Sequence, residues 1–186
     1  MEQNVFARYS VPAQVLHWLT AVLVLLAFIY SPGGSEERVY ASARDFERQL
    51  HETLGVCVLT LVVLRMLWRA VDEPPKSPAV PRWMRLSAGV VQAALYVLLF
   101  AVPLTAIGGA WLEGHALTLL GGIVVPPPVP KSRALGAKIA EVHTWLGDAI
   151  LWVAGAHAAA ALFHHFLLKD NVLLSMLPRW KSNTKA

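Results

Sequence analysis

Charge is scarce in this sequence: 15% of its 186 residues are Asp, Glu, Lys or Arg, while 56% are hydrophobic. The apolar segments leave no room for a solvated domain. Cysteine is rarer still, with one in the chain, which excludes a disulfide framework. That residue, Cys57, lies in an apolar stretch and reads as a small buried side chain. There is no internal repeat, and no low-complexity tract beyond an alanine-rich part of the last apolar segment. The net charge of +4 is small, and membrane flanks account for it without a nucleic-acid partner.

Long apolar runs are what the chain has instead. Four of them, near 12 to 31, 51 to 70, 87 to 110 and 139 to 168, are long enough to cross a hydrocarbon layer of about 30 Å. The first lacks a small-residue cleavage site and runs on, after a polar stretch, into a second spanning pattern, so it is not read as a removable leader. The sequence therefore predicts an all-α membrane protein, a four-transmembrane-helix bundle forming a single domain over residues 1–186. An even number of crossings puts both termini on one side. Ten basic residues flank that side (Arg8, Arg65, Arg69, Lys76, Arg82, Arg85, Lys169, Arg179, Lys181, Lys185) and six the other (Arg38, Arg44, Arg48, Lys131, Arg133, Lys138). By the positive-inside tendency both termini are expected to be cytoplasmic. Trp68 and Trp83 then fall at the inner interface, and Trp111 and Trp145 at the outer one.

The connectors separate helices without forming domains. The link Asp72-Glu73-Pro74-Pro75-Lys76-Ser77-Pro78 is polar and proline-stiffened. Residues 111 to 138 include an apolar run, 117 to 125, broken by Gly and Pro and too short to span; it reads as a lid over the outer end of the bundle.

Four histidines lie within the apolar segments. His143 and His157 are 14 residues apart on one helix, about 21 Å along its axis. Fourteen residues are two heptads, so in a left-handed bundle both face one seam. His51 opens the second segment at its outer end, level with His143. His17 lies about 9 Å in from the start of the first, at a depth like that of His157. The expected pairs are His51 with His143 outside and His17 with His157 inside. One turn beyond each stands a small residue, Ala21, Gly55, Gly147 and Ala161, which leaves room for a flat macrocycle against the backbone. Gly and Ala are common in this chain, so the pattern supports the idea without carrying it. A lone intramembrane histidine can simply bridge helices by hydrogen bonds. Two matched pairs point further, to bis-histidine ligation of two stacked haems. Two imidazoles leave four equatorial positions that a porphyrin fills, which favours iron over zinc. With no Cys-x-x-Cys-His, the haems would be non-covalent and of b type.

Glu141-Val142-His143, then His157, Ala161-Leu162-Phe163-His164-His165-Phe166, Lys169-Asp170, Val172-Leu173 and Met176-Leu177-Pro178 resemble the last helix and tail of the prokaryotic cytochrome b561 family. Arg8-Tyr9-Ser10 before His17-Trp18, His51-Glu52 with Gly55, and Leu95-Tyr96 with Pro103-Leu104 extend the resemblance over nearly the whole chain. It implies a four-helix inner-membrane protein whose two b haems are ligated by His17, His51, His143 and His157. Members of the family move electrons between the periplasmic side and ubiquinone. Among them is superoxide oxidase, which takes the electron from superoxide. The chain also resembles cytochrome b subunits that relay electrons for hydrogenases and formate dehydrogenases.

The expected function is therefore electron transfer across the inner membrane to ubiquinone, with superoxide oxidation (superoxide:ubiquinone oxidoreductase) as its leading form. The alternatives are a membrane-anchor and electron-relay subunit of a hydrogenase or dehydrogenase, with a redox partner subunit, and a non-redox haem carrier or sensor. A superoxide site needs a positive field, which Arg38, Arg44, Arg48, Lys131, Arg133 and Lys138 would supply. Glu36, Glu37, Asp45 and Glu47 in the same loop weaken it, and a surface of mixed solvated charge is the plain alternative. His164, seven residues beyond His157 on the same seam, is the expected quinone residue, with Gln92 as a second; an interfacial polar cluster with His165 and Lys169 is the alternative. Relatives often carry histidine where this chain has Gln92, and arginine where it has Ser175. Glutamine donates a hydrogen bond but delivers no proton at neutral pH. His115, in the lid, reads as a solvated loop residue.

Overall fold

The computed structural model describes residues 7–75 and 80–178. Lys76, Arg179, Lys181 and Lys185, counted above toward one flank, lie outside them, as do Ser77 and Pro78 of the proline link. In chain order come α1 (Val11–Ile29), a one-turn α2 (Glu36–Val39), α3 (Asp45–Val71), α4 (Arg82–Glu113), the strands β1 (Leu117–Leu119) and β2 (Ile123–Val125), α5 (Arg133–Phe163) and a short α6 (Val172–Ser175). Helices α1, α3, α4 and α5 are long and apolar enough to cross a membrane.

Three of these helices run further than hydropathy alone predicts. α3 starts at Asp45 rather than near 51 because charged pairs carry it beyond the apolar stretch. Arg44 meets Glu47 three residues on, and Arg48 meets Asp45 and Glu52 at spacings of three and four. α4 and α5 likewise take in both ends of the segment expected to be lid. The last helix is shorter than expected as an α-helix: it stops at Phe163, and His164–Leu168 form a π-helical turn closed by Lys169 in a left-handed conformation (φ 53°). The rest of the lid is an antiparallel hairpin pairing Leu117 with Val125 and Leu119 with Ile123. Gly121 (φ 85°) and Gly122 (φ 81°) make its turn, which residues with a Cβ adopt only with strain.

Packing is uneven, and that unevenness makes the site. α1 packs on α3 and α4 on α5, while α3 touches α4 more lightly. The buried apolar residues are few: Leu54, Val58 and Val62 form a stripe at four-residue spacing on α3, with Leu117 from the hairpin and Ile150 from α5. Most other large apolar side chains are exposed, Trp152 and Trp145 among them, as lipid-facing residues are. Cys57 is exposed too, correcting its reading as a buried residue; a spanning helix in so thin a bundle has few interior positions.

The α4–α5 contact depends on small residues. A Cβ on Gly136 would lie 2.7 Å from both Cγ and the backbone nitrogen of Glu113, and one on Gly109 would lie 3.2 Å from the Ala140 nitrogen. Such close approach is the usual way membrane helices gain contact without a hydrophobic driving force. At the opposite end of the bundle the termini are tied together. Tyr9 N–H donates to Ser175 O (3.1 Å), Trp18 Nε1 to Met176 O (2.8 Å) and Gln14 Nε2 to Tyr9 O (2.9 Å). Ser10 Oγ donates to Asp72 (2.8 Å) and accepts from Trp68 Nε1 (3.0 Å), joining the end of α3 to the same cluster. Hence the bundle has a tail end, holding both termini, and a lid end.

The Gly136→Ala variant must push α4 and α5 apart, because a backbone atom stands where its methyl would go. We expect a loss of about 1–3 kcal/mol, read as a lower thermal midpoint in detergent, with Gly89→Ala, where the added Cβ meets nothing within 4 Å and which lies outside the cavity lining, as the control for fold stability.

Candidate functional site

The four spanning-helix histidines come together as two pairs, each reaching across between the α1–α3 and α4–α5 layers. At the lid end the His51 ring (α3) and the His143 ring (α5) have centroids 6.1 Å apart and planes at 79°. Towards the tail end His17 (α1) and His157 (α5) stand 6.2 Å apart at 70°. Two metal–imidazole bonds of about 2 Å each fit within either separation.

Local structure turns the lid-end rings. Ala27 lies in the last turn of α1, where carbonyls lack helical partners, and its oxygen bonds His51 Nδ1 at 2.7 Å. His143 Nδ1 bonds Val102 O on α4 at 2.9 Å, a carbonyl that also accepts from Thr105 Oγ1 at 2.9 Å. A carbonyl partner makes Nδ1 the protonated nitrogen and leaves Nε2 as the free lone pair, the arrangement of most histidine ligands. Gly55 and Gly147, one turn on, have nothing within 4 Å of an added Cβ, so the space beside both rings is open.

A cavity of about 730 Å³ surrounds this pair, within the roughly 300–1,000 Å³ usual for small-molecule and cofactor sites. His51, His143, Gly55, Gly147, Val102 and Trp145 are among its lining. No group of three His, Cys, Asp or Glu suited to holding a metal occurs among the described residues. Each imidazole pair can thus hold a metal only if equatorial ligands come with it, as they do in a porphyrin. Ring separation, free Nε2, open glycines and cavity size all fit a haem between His51 and His143; ring separation alone speaks for the pair His17 and His157.

Charge around the lid-end cavity differs from the sequence-based expectation. Its lining carries five carboxylates, Glu36, Glu52, Glu113, Glu141 and Asp148, and Arg48 is its one lysine or arginine among the described residues. Three of the six basic residues expected to make a positive field are spent locally: Arg44 on Glu47, Arg48 on Asp45 and Glu52, Arg133 on Glu36. Their pairing is a consequence of helical spacing and of the fold of the 31–44 loop, which the list of residues did not show.

Two of these carboxylates, Glu52 and Glu36, hold the lid. Glu52 accepts from Thr118 N–H at 2.6 Å, and Thr53 Oγ1 accepts from Leu120 N–H at 2.9 Å. His115 is no solvated loop residue: its ring bonds Glu36 Oε1 at 2.8 Å and stacks on Tyr40, because the lid folds back on the 31–44 loop. Burial, then the Glu52 and Glu113 charges, push the Tyr40 phenol up, so it stays protonated.

At the tail end His164 Nδ1 bonds Asp170 across the π-helical turn, and Asp170 also caps Val172 N–H at 3.0 Å. Gln92 is exposed on α4, and no hydrogen bond joins it to His164 among the described residues. Ser175 uses its carbonyl on Tyr9 and its hydroxyl on Val172 O. The sequence reading missed Asp170 as the partner of His164, although its place six residues on in a polar tail was the available signal. It also counted Arg65 only as a flank charge; Arg65 Nε donates to the Tyr96 hydroxyl at 3.1 Å inside the bundle.

A four-helix membrane protein with two facing imidazole pairs has the fold and site of a membrane b cytochrome. The chain belongs to the prokaryotic cytochrome b561 family, whose profile it matches over residues 8–179. It is 32% identical over 182 residues to cytochrome b561 homolog 1 of Escherichia coli (strain K12), covering 94% of this chain and 99% of that protein. Cytochrome b561 homolog 2 of the same organism is 29% identical over 181 residues, 97% of this chain and 96% of the relative. A Yersinia pestis protein named probable superoxide oxidase CybB is 29% identical over 177 residues, 92% and 97% of the two chains. The family implies b-type haem, membrane electron transfer and a multi-pass place in a bacterial membrane.

The Glu36 carboxyl is held below the ordinary carboxylate range, first by its hydrogen bond with His115 and then by Arg133. A depressed acid contributes stability above its unfolded pKa and loses it as pH falls through the folded one. Hydrogen exchange of residues 115–125, corrected for intrinsic rate, should therefore stay flat down to the ordinary carboxylate range and rise below it. Glu36→Gln should expose the hairpin already at neutral pH.

Proposed function

We propose that the chain, as one unit over residues 1–186, is a di-haem b cytochrome carrying electrons across the bacterial inner membrane, with the tail end cytoplasmic and the lid end periplasmic. The observation behind this reading is the two imidazole pairs, one near each end of the bundle, with ring centroids 6.1 and 6.2 Å apart. His51 and His143 would ligate the outer haem iron, and His17 and His157 the inner one. Each bound haem supplies a one-electron couple. The protein holds the rings through the Ala27 and Val102 carbonyls, keeps small residues beside them, and covers the outer pair with the hairpin. Ubiquinone is the proposed acceptor at the tail end, with His164, oriented by Asp170, as proton donor to a quinone oxygen and Gln92 as a hydrogen-bond donor.

The specific form we propose is superoxide oxidation coupled to ubiquinone reduction, supported by the resemblance and by the name of the Yersinia pestis relative. A second reading, an electron-relay subunit for a separate dehydrogenase or hydrogenase, is favoured by one observation. The carboxylates lining the lid-end cavity repel a small anion, where a positive field would raise its encounter rate. The non-redox carrier reading has no such support.

Purified protein should contain two b haems per chain. His143→Ala and His17→Ala should each lose one and keep the other. A superoxide pulse in stopped flow should reduce the haems, with reoxidation only when ubiquinone is added. Haems indifferent to superoxide, in a protein that co-purifies with a large redox partner, would establish the relay reading instead. If superoxide is the donor, the rate should rise several-fold in Glu141→Gln/Asp148→Asn protein, whose cavity repels it less, and should also rise with ionic strength.

A further inference from the structure

Arg65 lies within the spanning stretch of α3, six residues before the helix ends. A charge at that depth is costly and is normally matched by a partner facing the bundle interior. Among the described residues no carboxylate pairs with it. Its one hydrogen bond is to a neutral group, the Tyr96 hydroxyl on α4 (3.1 Å), with the guanidinium carbon 5.8 Å from that ring. It is half-buried, and it lies within electrostatic range of both His17 and His157. The basic residues at the lid end behave differently: Arg44, Arg48 and Arg133 each have a carboxylate. So the tail-end histidine pair has an unneutralised cation beside it, and the lid-end pair has an excess of carboxylates.

We propose that Arg65, braced by Tyr96, binds a propionate carboxylate of the haem held between His17 and His157 and raises that haem's reduction potential above that of the lid-end haem. This rests on the di-haem reading above. The chemistry is that of a planar guanidinium fork meeting a carboxylate in a poorly hydrated site, where charge-assisted hydrogen bonds are strongest. Tyr96 accepts from Arg65 Nε and keeps its own O–H free to donate to the same carboxylate. A nearby cation favours the reduced, less positive iron. The carboxylates around the lid-end pair disfavour it, so the two ends are biased in opposite senses and the electron runs downhill from lid end to tail end.

The test is a redox titration of the full-length haem-loaded protein in nanodiscs, followed by the visible spectrum, for wild type, Arg65→Met, Arg65→Lys and Tyr96→Phe. Wild type should show two midpoints. In Arg65→Met the higher one should move negative while the lower stays, or the tail-end haem alone should be lost. Arg65→Lys should recover most of the shift, and Tyr96→Phe should show a smaller one. Two unmoved midpoints with full haem content, or equal movement of both, would overturn the proposal and leave the di-haem reading intact. A wild-type protein without two b haems would overturn the di-haem reading itself. Should Arg65→Met not fold, the Lys and Phe variants carry the same comparison.

Discussion

Everything else in the structure depends on how the imidazole nitrogens are satisfied inside an apolar bundle. A buried N–H must find an acceptor, and helices normally keep their carbonyls for themselves. The chain frees one at the end of α1 and shares one on α4, Val102 O, which also takes the Thr105 hydroxyl, and His51 and His143 bond them. With Nδ1 committed, Nε2 of each ring is left for a metal. At the lid end the seam between the α1–α3 and α4–α5 layers is left open around these rings instead of being filled by side chains. The small number of buried apolar residues follows from the same arrangement.

The lid end shows a second consequence. Glu52 follows His51 directly, yet it serves the lid: it pairs with Arg48 and takes the Thr118 amide. Two of the groups that close the cavity, Glu36 and Glu52, therefore also make its lining acidic, with Glu113 buried alongside them. Covering the outer pair and attracting an anion place opposite demands on the same few side chains. At the tail end the demand is reversed: Arg65 is without a carboxylate among the described residues, and the chain ends are clasped by donors to backbone carbonyls, Tyr9 N–H to Ser175 O, Trp18 Nε1 to Met176 O and Arg8 to Leu177 O.

Much of this was legible from residues alone, because membrane helices are written in long apolar runs and because 14 residues on one helix set depth and facing together. The four spanning helices and the existence of a lid came from hydropathy and proline placement. Helix ends did not: i,i+3 and i,i+4 pairs among Arg44, Asp45, Glu47, Arg48 and Glu52 extend α3 where hydropathy reads only charge. Loop geometry was equally hidden. His115 looked solvated because nothing in the sequence says that the lid folds back onto Glu36 and Tyr40. A positive outer field looked available because a list of cations does not show which of them are already paired. Arg65 was read as a flank charge for the same reason, since position along a helix does not say which way a side chain turns.

The central claim is the proposal that each histidine pair would hold one haem iron through both rings. Low-temperature electron paramagnetic resonance of the oxidised protein tests it most directly, because ring orientation controls the signal. The pairs stand at 79° and 70°, near perpendicular, so the account predicts two low-spin ferric signals of the strongly anisotropic kind that crossed imidazoles give. High-spin iron, a single signal, or the rhombic pattern of parallel rings would contradict it.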